Sequence, residues 1–66
     1  MDNNTVRERL LKYHEQEPVI YTRIGMMIGL TKEQSKYTIS RFLRNITDLN
    51  NDTLVNLSDF LESRGY

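Results

Sequence analysis

Arg41 and Arg44, with Gln34 and Tyr37 before them, are the side chains of this sequence best suited to contact another molecule. Stepped at about 100° per residue, these four gather on one side of a helix, opposite Ile39, Phe42, Leu43 and Ile46. One face can then anchor in a core while the other offers cations, an amide and a phenol. A guanidinium can bond guanine O6 and N7 in a bidentate way or clamp a phosphate, and a glutamine amide can pair with adenine. Arg44, Asn45, Lys32 and Lys36 suit phosphate contacts, which set register without reading sequence. For each charged residue the plainer alternative is a solvated helix face, and for Tyr37 it is surface packing. A helix of this kind fits a DNA groove.

Chemistry of other kinds has little to work with. The sequence has no cysteine, which removes disulfides and thiolate metal sites. His14 is its single histidine, so a structural zinc site is not expected, and the residue reads as the margin of a helix stripe. There is no glycine-rich phosphate loop, no HExxH and no run of carboxylates with calcium-loop spacing. Neither an enzyme nor a cofactor or metal site is expected.

The totals describe one small domain. Sixty-six residues bury only about 60% of their unfolded surface, so the core must come from helix packing or from a dimer partner. The opening MDNNTVRERL is polar and does not read as a signal peptide. The apolar-rich segment 19–30 is too short for a bilayer and contains Arg23. A cytoplasmic protein with no membrane partner is the expectation. Formal net charge is zero, but its distribution is uneven. Arg23, Lys32, Lys36, Arg41 and Arg44 stand against Glu33 alone, a local balance of +4, while residues 45–66 balance at −3. Such a basic stretch is a weak electrostatic footprint.

The elements that must position these residues follow from capping and periodicity. Thr5 with Glu8 reads as a capping box after a loose 1–4 segment, and the helix runs to about Glu15 with Val6, Leu10 and Tyr13 as its buried stripe. Pro18 ends it. Thr22 reads as the next N-cap, with Tyr21 stapled over Met26, and a short helix spans 23–28; a short strand over 19–21 is the alternative. Met26 and Met27 read as core. Gly25 costs this helix about 1 kcal/mol against alanine, which room for a closely approaching helix would offset. Gly29 can end it, and Thr31 with Gln34 forms a second capping box. Residues 45–51 are a turn-rich connector, with Ile46 and Leu49 tucking its ends into the core. Asn51 or Asp52 then caps a last helix, about 53–63, with Leu54, Leu57 and Leu61 as its stripe. The fold class is all-α, a small bundle of four to five helices with a central helix-turn-helix.

Ile24-Gly25-xx-Ile28-Gly29-Leu30-Thr31 followed by Thr38-Ile39-Ser40-Arg41-Phe42-Leu43-Arg44-Asn45 resembles the lambda-repressor/Cro-like (XRE-type) helix-turn-helix family of phages and bacteria. The likeness extends over about residues 5–63. It implies sequence-specific duplex-DNA binding by a transcriptional regulator, a repressor of a phage, plasmid or bacterial operon. A reader this small implies a homodimer on a palindromic operator, with Phe60, Leu61 and Tyr66 as a candidate dimer face. By the same resemblance, Gly25 matches the small residue at the helix crossing and Gly29 the turn glycine. Ile24, Ile28 and Leu30 match the apolar positions of the unit, and Ile39 and Phe42 the buried pair of the recognition helix.

One departure leaves two arrangements open. Without a gap, Ser35 and Thr38 fall where the family buries apolar groups, which argues for a shift. If the helix starts at Lys32, Gln34, Tyr37, Arg41 and Arg44 face the groove. If a lengthened turn starts it near Ser35, Lys36 and Tyr37 form its tip, with Ser40 and Arg41 behind. The reading from another class is a helical protein-interaction module or inhibitor, of the anti-CRISPR kind, without DNA binding.

Overall fold

Four helices and no strand make up residues 2–66, the part of the chain described by the computed structural model. Helix α1 (Asn3–Gln16) starts earlier than its Thr5–Glu8 pattern predicts. Asp2 is the cap, and its carboxylate accepts from the Thr5 hydroxyl at 2.9 Å and the Thr5 amide at 3.0 Å. Those two bonds, the hydroxyl's first, hold the Asp2 carboxyl below its ordinary value. The cap therefore acts at neutral pH and weakens as pH falls through the lowered pKa. Asn3 is held as well, because its Oδ1 accepts from the Leu49 amide at 2.9 Å. Val6, Leu10 and Tyr13 form the buried stripe as predicted, and the buried Arg7 joins them.

Helix α2 (Tyr21–Met27) also begins ahead of its predicted cap. Ile20 occupies the N-cap position, and its carbonyl accepts from the amides of Arg23 and Ile24. Tyr21 does not staple onto Met26; its ring stacks on His14 with centroids 4.7 Å apart. Ile24, Gly25 and Ile28 are buried. Met26 and Met27 are not core: 54% and 43% of their surface is open, because a helix of seven residues has one inner face and Ile24 and Ile28 fill it.

Gly29 takes the left-handed backbone with φ +94°, and the Leu30 amide reaches back to the Gly25 carbonyl at 2.9 Å. Helix α3 (Lys32–Leu43) follows at once, with the Thr31 hydroxyl accepting from the Gln34 amide at 3.2 Å. It closes at Asn45, φ +60°, with the Ile46 amide on the Arg41 carbonyl at 2.9 Å. That turn carries the chain off the helix axis before Ile46 can complete the apolar stripe. Ile46 is consequently exposed, while Leu49 does reach the core.

Helix α4 (Asn51–Ser63) is capped by Asn50, one position ahead of the predicted cap, and buries Leu54, Leu57 and Leu61. Gly65, φ +84°, turns the terminus back. Tyr66 then packs edge-on against Tyr13 at 5.3 Å, and its hydroxyl donates to Gln16 Oε1 at 2.7 Å. Phe60 packs edge-on against the same Tyr13 ring at 5.4 Å, and Leu61 is fully buried. Of the predicted dimer face of Phe60, Leu61 and Tyr66, Leu61 is buried in the fold and the two aromatic rings are partly buried. These aromatic groups find an intramolecular partner in α1.

Candidate nucleic-acid interface

Gly25 decides how α3 sits. A Cβ at this position would meet the Cβ and Oγ of Ser35 and lie 2.7 Å from its Cα. The two helices therefore touch backbone to backbone, with Ser35 completely buried between them. The expectation that Ser35 is unsuited to the interior is wrong for a local reason. A larger side chain has no room, and the hydroxyl donates to the Thr31 carbonyl one turn back, which removes most of the cost of burying it. Ser35 thus joins Ile39 and Phe42 on the inner face, and Thr38 is half-buried beside them. The turn is not lengthened. Of the two starts left open by the sequence, the helix has the one at Lys32.

The far end of α3 is fixed by a charged side chain of α1. Arg7 passes beneath the Phe42 ring with its guanidinium carbon 4.4 Å from the centroid. Its Nε donates to the Phe42 carbonyl, Nη1 to Asn4 Oδ1 at 2.8 Å, and Nη2 to the Thr47 carbonyl at 3.2 Å and Asp48 Oδ1 at 2.8 Å. One guanidinium joins α1, the last turn of α3 and the connector behind it. Arg9 does similar work at the other end of the molecule, donating to the Tyr66 carbonyl and to Ser58 Oγ, each at 2.8 Å. A signal for Arg7 existed in the sequence: it lies at helical spacing with Leu10, Leu11 and His14.

Held at both ends, α3 turns Gln34, Tyr37, Arg41 and Arg44 outward along one exposed stripe. Asn45, at the C-terminal turn, is exposed beyond them. Lys36 is exposed on the flank, where it shares a hollow with His14, Ile20, Tyr21 and Thr22 at the start of α2. Ser40, one turn on from Lys36 along the same flank, is half-buried and offers less of its hydroxyl. Lys32 is exposed in the first turn.

The electrostatics of the stripe are simple. Among the described residues the one ion pair is Arg7–Asp48, so Lys32, Lys36, Arg41 and Arg44 have no carboxylate within 4.0 Å. Four cations on and beside one helix are left to solvent or to an incoming anion. A second surface of different character adjoins them. Ile20, Thr22, Arg23, Met26 and Met27 line a shallow apolar depression on the outer side of α2.

Comparison with protein-family models, with curated proteins and with solved structures finds no match. Among the described residues no helix is long and apolar enough to cross a membrane.

Proposed function

We propose that this chain binds double-stranded DNA sequence-specifically, with α3 in the major groove, and that it acts as a transcriptional regulator of the XRE type. The observation that carries this reading is the outward stripe of α3. Gln34, Tyr37, Arg41 and Arg44 project from a helix whose inner face is locked against Gly25 of α2. Rigid support matters because base recognition requires donors held in one geometry. In this reading Arg41 and Gln34 reach base edges. Lys32, Lys36, Arg44 and Asn45 hold phosphates and set the register. A fold this small gains affinity by pairing on two half-sites, and a palindromic operator follows from a two-fold dimer.

Selection of bound sequences from random duplex DNA at moderate salt tests the reading. The expected result is an enriched motif with two-fold symmetry. On that motif Arg41→Ala should cost about 1–3 kcal/mol and relax specificity at one position. Arg44→Ala should weaken all sequences alike and lower the slope of log affinity against log salt by about 1. If both variants fold and neither changes any DNA affinity, the groove assignment is wrong.

The depression lined by Ile20, Met26 and Met27 favours a second reading, a protein-binding module. Exposed methionines make adaptable apolar contacts. In the DNA reading the same surface is where a second copy is expected to pair. Met26→Glu should then leave the helix content unchanged and move the chain from dimer to monomer in sedimentation equilibrium. A wild-type chain that is monomeric at every concentration, together with no enriched DNA motif, would favour the protein-binding module.

A further inference from the structure

Three of the four tyrosines are used by the fold. Tyr13 is buried under Phe60 and Tyr66, Tyr21 lies on His14, and Tyr66 bonds Gln16. Tyr37 is not used: 61% of its surface is open, in the middle of the outward stripe of α3. Its nearest cationic neighbour is Arg41, one turn on, with the guanidinium carbon 5.8 Å from the ring centroid. That distance lies within the range of cation–π attraction. The ring is thus within reach of the guanidinium, and among the described residues no carboxylate lies within 4.0 Å of Arg41.

We propose that Tyr37 and Arg41 act as one reader of a C5-methylpyrimidine followed by guanine, the 5′-TG-3′ step of unmodified DNA. This rests on the DNA-binding reading above and goes beyond it by naming the step recognised. Guanine presents O6 and N7 as a pair of acceptors at the major-groove edge, which matches the guanidinium fork. The base on its 5′ side, when it is thymine, presents an apolar methyl group in the same groove. A phenol ring one turn before the arginine supplies the apolar surface for that methyl, and it also holds the fork toward the guanine. The shared chemistry is the methyl at C5, which thymine and 5-methylcytosine both carry.

The test uses the intact chain and the duplex that it selects from a random pool. Wild-type affinity is measured on that duplex and on versions with deoxyuridine for the thymine and 7-deazaguanine for the guanine. Loss of the methyl should weaken binding about fourfold, the effect of one buried methylene-sized group. Loss of N7 should weaken it about tenfold. In Tyr37→Phe the methyl effect should persist, and in Tyr37→Ala it should vanish. Both side chains are exposed, so these variants keep the fold, which circular dichroism verifies. Placing cytosine or 5-methylcytosine at the thymine position separates the two sources of the methyl. Recovery with 5-methylcytosine assigns the readout to the methyl alone. A methyl effect that is unchanged in Tyr37→Ala, or a selected motif without a thymine–guanine step, overturns the inference and leaves DNA binding standing. A folded chain that enriches no motif overturns both.

Discussion

Arg7→Ala is expected to lower the unfolding free energy by about 3 kcal/mol, the low end of the cost of breaking a buried, hydrogen-bonded charge. The substitution removes the donors to the Phe42 and Thr47 carbonyls, to Asn4 and to Asp48 together. The bonds from the guanidinium to the Phe42 and Thr47 carbonyls are the main loss, at about 1.5–3 kcal/mol for a hydrogen bond to a charged group, although the Phe42 carbonyl keeps the Asn45 amide at 3.1 Å. Asp48 is a lesser one, because 68% of its side chain is exposed and can be rehydrated. Asp48→Ala leaves the buried guanidinium with its carbonyl partners but no carboxylate, so it should cost more than the up to about 1 kcal/mol of a surface ion pair and less than Arg7→Ala. Arg7→Lys keeps the charge but cannot serve acceptors on three segments from one ammonium group, so it should recover only a minor part of the loss. At about 0.05–0.15 kcal/mol per residue a domain of this size has roughly 3–10 kcal/mol of stability in all. Urea titration followed by far-ultraviolet circular dichroism measures the change. An Arg7→Ala midpoint equal to wild type would mean that the guanidinium is not the clamp on α3.

The second large effect belongs to Gly25→Ala. Helix propensity alone would make this change favourable by about 1 kcal/mol. Packing opposes it, because the new methyl would fall on the Ser35 side chain and within 2.7 Å of the Ser35 backbone. Backbone cannot step aside as a flexible side chain can, so the cost lies toward the top of the roughly 1–3 kcal/mol seen for overpacked cores. The expected net result is a loss of about 2 kcal/mol, or a melting point lower by roughly 8–16 °C. Ser35→Ala is the control. It removes only a hydrogen bond within α3 itself and should be close to neutral, whereas Ser35→Val refills the crossing and should match Gly25→Ala. The sign is the test: a more stable Gly25→Ala protein would show that α2 and α3 do not meet at this point. Because the crossing also aims the outward stripe, the proposed DNA-binding function implies an affinity that falls with Gly25→Ala at temperatures where the variant remains folded.

Much of this architecture was written locally in the chain. The all-helical class and the stripes Val6–Leu10–Tyr13, Ile39–Phe42 and Leu54–Leu57–Leu61 follow from apolar spacing. The glycine end at Gly29 and the Thr31 cap follow from single-residue chemistry. So does the outward stripe of Gln34, Tyr37, Arg41 and Arg44, because a helix that buries one face must show the other. The caps of α1, α2 and α4 lie one to three residues ahead of those that the sequence predicts: Asp2 and Asn50 cap with their own side chains, and Ile20 occupies its N-cap position without a side-chain bond.

Only the tertiary structure decided the rest. Whether a polar residue is inside depends on what lies opposite it, and that partner is distant in sequence. Ser35 is buried because Gly25 faces it, and Arg7 is buried because the end of α3 and the connector offer it carbonyls. The same holds in reverse for apolar side chains. Met26 and Met27 remain outside because Ile24 and Ile28 fill the one inner face of α2, and Tyr66 folds back against the core because Tyr13 and Gln16 receive it. Periodicity fixes which residues share a face, but the partner across the contact fixes how large a side chain that face can hold.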